Sequence, residues 1–154
     1  MIDSFSQLKL DSNILKAIDE LGFVKPTPVQ GRIIPTLLDE DGDIVCLAQT
    51  GTGKTAAYLL PVLSELSYGD YPTNAINCII MSPTRELAQQ IDQQMEAFSY
   101  FTNSSSVAIY GGNDGIRFAQ EQKGLTLGAD VVIATPGRLL AHINMGYVDL
   151  SRVS

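Results

Sequence analysis

The sequence predicts an α/β fold, a parallel sheet flanked by helices and built around a phosphate-binding loop. Three observations carry that expectation. Four short apolar runs, "DIVCLA" (43–48), "NCIIMS" (77–82), "SVAIYG" (106–111) and "DVVIAT" (130–135), are each followed by a turn and a stretch compatible with a helix. Apolar on nearly every residue rather than on alternate ones, they suit strands covered on both faces, as in parallel sheets. The first run leads into "AQTGTGKT" (48–55) and then a helix, the order a phosphate cradle requires. Finally, 154 residues with 45% hydrophobic and 18% charged side chains suffice for one domain with a buried core.

The elements follow in order. "LDSNILKAIDELGF" (10–23) reads as a helix with Asp11 or Ser12 as N-cap and Gly22 as its stop, and Ile14, Leu15, Ile18 and Leu21 share one face. A second helix starts near Pro28 and runs to about Leu38. "LLDEDGD" (37–43) then reads as a solvated acidic turn, since no glutamate falls at the closing position of a calcium loop. After the second strand, "ELAQQIDQQMEAF" (86–98) places Leu87, Ala88, Ile91, Met95 and Phe98 at helical spacing, which core packing explains. Cys46 and Cys78 each fall inside a predicted strand and read as small buried hydrophobes, ahead of metal ligands or a disulfide.

Charge and hydropathy limit the function classes. No apolar run is long enough to span a bilayer, and "MIDSFSQLKLDSN" lacks the basic and apolar regions of a signal peptide, so the expectation is a cytoplasmic protein without a membrane partner. A net charge of −7 argues against a non-specific nucleic-acid binder working through a basic patch. It leaves room for a local site built from backbone amides and a few arginines.

A phosphate cradle needs a strand, a loop of small residues and a helix that starts where the loop ends, so that backbone N–H groups converge on the anion. Here Gln49, Thr50, Gly51, Thr52 and Gly53 form the loop, and Lys54 and Thr55 open the helix. Lys54 would contact the β- and γ-phosphates as a point charge, and the Thr55 hydroxyl would coordinate Mg²⁺. The strict pattern begins with glycine where this chain has Ala48. The plain alternative is a glycine-rich turn with an incidental lysine.

The loop variant "AQTGTGKT" resembles motif I of the DEAD-box ATP-dependent RNA helicases of superfamily 2, and four further stretches match in the family's order. "GFVKPTPVQ" (22–30), with Phe5 upstream, is similar to the adenine-recognising Q motif; "PTRELA" (83–88) to motif Ia; "GG" (111–112) to the glycine doublet; "TPGR" (135–138) to motif Ib. The resemblance covers essentially the whole chain and implies a RecA-like P-loop domain that binds ATP and Mg²⁺. Phe5, Phe23, Thr27 and Gln30 would then recognise adenine, the Gln30 carboxamide being able to pair with its N6/N7 edge. Residues Gln49 to Thr55 would hold the phosphates, with Lys54 as the catalytic cation. Pro83, Thr84, Arg85, Gly112, Thr135, Pro136, Gly137 and Arg138 would line an RNA backbone path, through amides at helix N-termini and two arginines. Taken singly, Gln30 reads as a helix-surface amide, Phe23 as a core aromatic, and the two arginines as surface residues beside helix caps.

The family pattern continues with an Asp-Glu-Ala-Asp strand, a Ser-Ala-Thr strand and a second RecA-like domain carrying further arginines, none of which occurs in these 154 residues. The chain by itself is therefore expected to show negligible ATP hydrolysis and no unwinding. The fold is expected to be an incomplete RecA-like domain, rearranged or strand-exchanged, with a homodimer by exchange or edge pairing as one consequence. Two other readings stay open: a stand-alone nucleotide- or RNA-binding module without hydrolysis, and part of a DNA-acting superfamily 2 translocase, against which the Q motif argues.

Overall fold

The computed structural model describes residues 1–111 and 115–154. The chain divides into two compact units, Met1–Gly69 with Gln94–Asn103, and Asp70–Gln93 with Ser104–Ser154.

The first unit is helical. A single 3-10 turn, Phe5–Gln7, precedes α1 (Ser12–Glu20), α2 (Pro28–Asp39) and α3 (Lys54–Tyr68). Asp11 caps α1 by accepting from the Asn13 N–H, and Gly22 follows the helix in the left-handed conformation at φ 78°. On α1, Ile14 and Ile18 are buried, Leu15 is half-buried and Leu21 is exposed, so the predicted stripe is narrower than drawn. α2 and α3 pack on each other, with Ile34 of one and Leu59, Leu60 and Leu63 of the other fully out of solvent. Burial of such side chains contributes roughly 1.5–3 kcal/mol each.

The second unit carries the sheet. Strands β1 (Cys78–Met81), β2 (Ser106–Ile109) and β3 (Val131–Ala134) pair in parallel in the order β1-β3-β2. β3 is central and buried at every residue, which is why its sequence shows no polar alternation. Helices α4 (Arg85–Phe98), α5 (Gly115–Leu127) and α6 (Pro136–Asn144) follow the three strands. Ile76, Ile109, Leu125, Val132 and Leu139 form the core of this unit. On α4, Ala88, Ile91, Met95 and Phe98 are buried as expected, whereas Leu87 is exposed. One carboxylate ties the strand entries together: Asp130 accepts from Asn77 Nδ2 at 2.9 Å and from the Ser105 N–H at 3.0 Å.

Two expectations are corrected. The run 43–48 is not a strand: it pairs with none of the three described strands, and Val45 and Leu47 are 88% and 93% exposed. An extended segment is held in a sheet by its ladder, and among the described residues no strand supplies one to this run. For the same reason Cys46 is exposed rather than buried, while Cys78 in β1 is partly buried. Among the described residues, no helix is long and apolar enough to cross a membrane.

Candidate nucleotide and nucleic-acid sites

In the first unit, the local sequence of α2 builds a clamp on the phosphate loop. Thr27-x-x-Gln30 is a capping box: Thr27 Oγ1 accepts from the Gln30 N–H, and Gln30 Oε1 accepts from the Thr27 N–H at 3.0 Å. Each side chain also donates once to the loop. Thr27 Oγ1 donates to the Thr52 carbonyl at 2.8 Å, and Gln30 Nε2 donates to the Gly53 carbonyl at 3.2 Å. Gln30 is 5% exposed, so its amide is a buried connector and not the helix-surface group it resembles in isolation.

The loop itself depends on glycine. Gly51 and Gly53 sit at φ 81° and 82°, left-handed values that cost about 1 kcal/mol or more for other residues. A Cβ on Gly53 would also collide with the Gln30 amide nitrogen. Gly53 is the N-cap of α3 and offers no side-chain acceptor, so the first amides of α3 remain directed outward from a helix N-terminus. Thr52 Oγ1 donates to the Gln49 carbonyl at 2.6 Å, and Lys54 Nζ donates to the Ala48 carbonyl at 2.6 Å. The lysine thus reaches back across its own loop. Position 48 is met through its carbonyl, which any residue supplies. Gln49 and Thr50 are exposed, and Thr55 is half-buried on the first turn of α3.

Phe5 is buried and stacks on Phe23 at 6.4 Å between centroids; Phe23 is 43% exposed and meets Phe98 edge-on at 6.0 Å. A cavity of about 410 Å³ opens beside this pair, lined by Phe5, Phe23, Leu15, Ile18 and Asp19, among others. Thr27, Gln30 and the loop do not line it. The structure therefore brings Thr27, Gln30, Thr52 and Gly53 into contact, and sets the two aromatics around a separate hollow of the same unit.

In the second unit, Thr84 caps α4, accepting at Oγ1 from the Leu87 N–H at 3.2 Å. Pro83, Thr84 and Arg85 are exposed. α6 begins differently: Thr135 stands at its N-cap without a side-chain capping bond, Pro136 occupies the first turn, and Pro136 and Gly137 are exposed. Its early amides are consequently free of the cap that α4 has. Gly112 lies outside the described residues. Arg138 departs from the sequence picture of a surface cation: its side chain is 18% exposed and Nε donates to Glu121 at 2.8 Å. Glu121 and His142 were missed by sequence reasoning. Arg117-x-x-x-Glu121 at i,i+4 spacing was the available signal.

The profile of the DEAD/DEAH box helicase family matches residues 27–154. An ATP-dependent RNA helicase DeaD from Klebsiella pneumoniae is 41% identical over 152 residues, 98% of this chain and 23% of that protein. A probable ATP-dependent RNA helicase ddx27 from Dictyostelium discoideum is 46% identical over 142 residues, 92% of this chain and 18% of that protein. Among solved structures, a DEAD box protein from the hyperthermophile Methanococcus jannaschii superposes with a TM-score of 0.85 at 37% identity, over 100% of this chain and 40% of that one. The yeast DEAD-box splicing factor Prp28 does so with a TM-score of 0.85 at 27% identity, over 100% of this chain and 37% of that one.

Proposed function

The chain belongs to the DEAD/DEAH box helicase family, and from that premise we propose that it is the ATP-binding and RNA-backbone-binding portion of an ATP-dependent RNA helicase. It spans between 18% and 27% of the length of the curated relatives it matches, so unwinding or remodelling of RNA is proposed for the protein of which it forms this part. The observation that carries the reading is the double link from Thr27 and Gln30 to the Thr52 and Gly53 carbonyls. It joins an adenine-recognition segment to a phosphate loop through two hydrogen bonds.

The residues fit Mg²⁺-ATP. The uncapped N-terminus of α3 and Lys54 would hold the phosphates, and the Thr55 hydroxyl would contribute to Mg²⁺. Among the described residues no cluster of three His, Cys, Asp or Glu side chains is arranged for a metal, so the triphosphate itself would supply much of the ion's coordination. Holding nucleotide would require Lys54 to exchange the Ala48 carbonyl for phosphate, and Gln30 to turn an amide edge to adenine. Phosphoryl transfer rests on several charged groups acting together. Lys54 is one; the others would come from the second RecA-like domain and from carboxylates beyond these residues.

On the second unit, Pro83, Thr84, Arg85, Thr135, Pro136, Gly137 and Arg138, with Gly112, are proposed to face the RNA backbone. The exposed Arg85 and the open first turn of α6 support this, since helix N-termini favour phosphates without reading sequence. The unpaired run 43–48 supports pairing with a further strand, including one from a second copy of the chain. A light-scattering mass that stays monomeric at every concentration would argue against a homodimer.

Competition settles the main reading. A fluorescent ATP analogue bound to the chain should be displaced by ATP and not by GTP, and single-stranded RNA binding should lose about 0.7 of its logarithmic salt slope in Arg85→Ala. Equal displacement by GTP would remove the adenine-recognising role, and an unchanged slope would remove Arg85 from the RNA path.

A further inference from the structure

Arg138 is held in a slot. Its stem lies against Gly111, whose added Cβ would come within 3.4 Å of Arg138 Cδ, and its guanidinium covers the Phe118 ring at 4.8 Å. Its Nε donates to Glu121 Oε2 at 2.8 Å, and Glu121 is 3% exposed. Such a pair normally uses two parallel hydrogen bonds. Here only one forms: Arg138 Nη2 is buried without a hydrogen-bond partner, and so is Glu121 Oε1. The resting contact therefore leaves a donor and an acceptor unmet, each unfavourable in a buried setting.

Glu121 also has other partners. His142 Nε2 contacts the same Oε2 at 2.7 Å, while its Nδ1 is engaged by the Tyr147 hydroxyl and its ring stacks on Phe118 at 4.1 Å. Arg117 Nε lies 3.5 Å from Oε1, with its guanidinium held over Tyr110 at 4.0 Å. A buried carboxylate stripped of its partner is strongly destabilised. This one keeps the His142 contact and the nearby Arg117 charge if Arg138 leaves, Arg117 Nε itself making no hydrogen bond.

We propose that Glu121 is an internal competitor for Arg138, a buried carboxylate that occupies the guanidinium until an RNA phosphate takes it. The proposal rests on the RNA-backbone reading above. A phosphate offers Arg138 the bidentate pairing that Glu121 does not, and Arg117 and His142 keep Glu121 compensated during the exchange. The surface thereby binds phosphate chains at reduced strength, because one cation must first be released.

The test is a double-mutant cycle read by anisotropy of a labelled single-stranded oligouridylate, with circular dichroism as a check on folding. Glu121→Gln is nearly isosteric and removes the competing charge. It should tighten binding several-fold and steepen the salt slope by about 0.7, as one added phosphate contact does for a single strand. Arg138→Ala should weaken binding far more in the Glu121→Gln background than in the unsubstituted chain. Equal losses in the two backgrounds, or weaker binding by Glu121→Gln, would overturn the proposal. Should Glu121→Gln not fold, the unsubstituted chain decides by NMR. The Arg138 Nε–H signal, identified by its loss in Arg138→Lys, should move on saturation with RNA, and a fixed signal in RNA-bound chain overturns the competition. No RNA binding by the unsubstituted chain would overturn the RNA reading itself, and this proposal with it.

Discussion

The Gln30 side chain donates to the Gly53 carbonyl at 3.2 Å while accepting from the Thr27 N–H at 3.0 Å, so one carboxamide caps a helix and holds the phosphate loop at once. Gln30→Ala removes both bonds. Loss of the cap bond and the loop bond together should lower unfolding free energy by about 1–3 kcal/mol in denaturant titration. Gln30→Glu keeps the acceptor for Thr27 and loses the donor to Gly53. Because that sets a buried carboxylate oxygen against the Gly53 carbonyl, it should destabilise at least as much as alanine; a Gln30→Glu chain more stable than Gln30→Ala would show that the bond to Gly53 is no part of the clamp.

Asp130 joins the entries of the three strands through Asn77 and Ser105. Asp130→Ala leaves the Ser105 N–H without its side-chain acceptor and Asn77 Nδ2 with the Pro72 carbonyl alone. Hydrogen bonds to a charged group contribute about 1.5–3 kcal/mol each, so a loss of about 3 kcal/mol is expected by chemical denaturation. A change below about 0.5 kcal/mol, ordinary for a surface substitution, would contradict that role.

The two thiols should differ in reactivity. Cys46 is exposed on the unpaired run, whereas burial raises the Cys78 thiol above its ordinary range. The thiolate is the reactive form, so at mildly alkaline pH iodoacetamide should modify Cys46 first, and Cys78 should follow only at higher pH or on unfolding. Peptide mass mapping distinguishes them. Equal protection of Cys46 would show that the run 43–48 is covered in solution.

Much of this was legible in the sequence, and the exceptions have physical causes. Helices α1 and α2 and strands β1 to β3 were marked by caps and unbroken apolar runs, which act locally. The run 43–48 carries the same apolar signal and fails as a strand, because a strand also needs a neighbour that its own residues do not encode. The glycines and Lys54 of the loop were readable from spacing. The bonds of Thr27 and Gln30 to the loop carbonyls were not, although their capping box was written in Thr27-x-x-Gln30. Arg138 shows the opposite error. As a lone arginine after a strand it reads as a surface cation, and only the fold brings Glu121 from α5 beside it.

Residues 48–55 are proposed to cradle a nucleoside triphosphate, with Lys54 exchanging the Ala48 carbonyl for phosphate. Calorimetric titration of Mg²⁺-ATP into the unsubstituted chain and into Lys54→Ala tests it most directly. Saturable binding that falls at least about tenfold in the variant, a difference of about 1.4 kcal/mol, is the expected result. Unchanged affinity in Lys54→Ala, or no heat of binding in a folded unsubstituted chain, would contradict it.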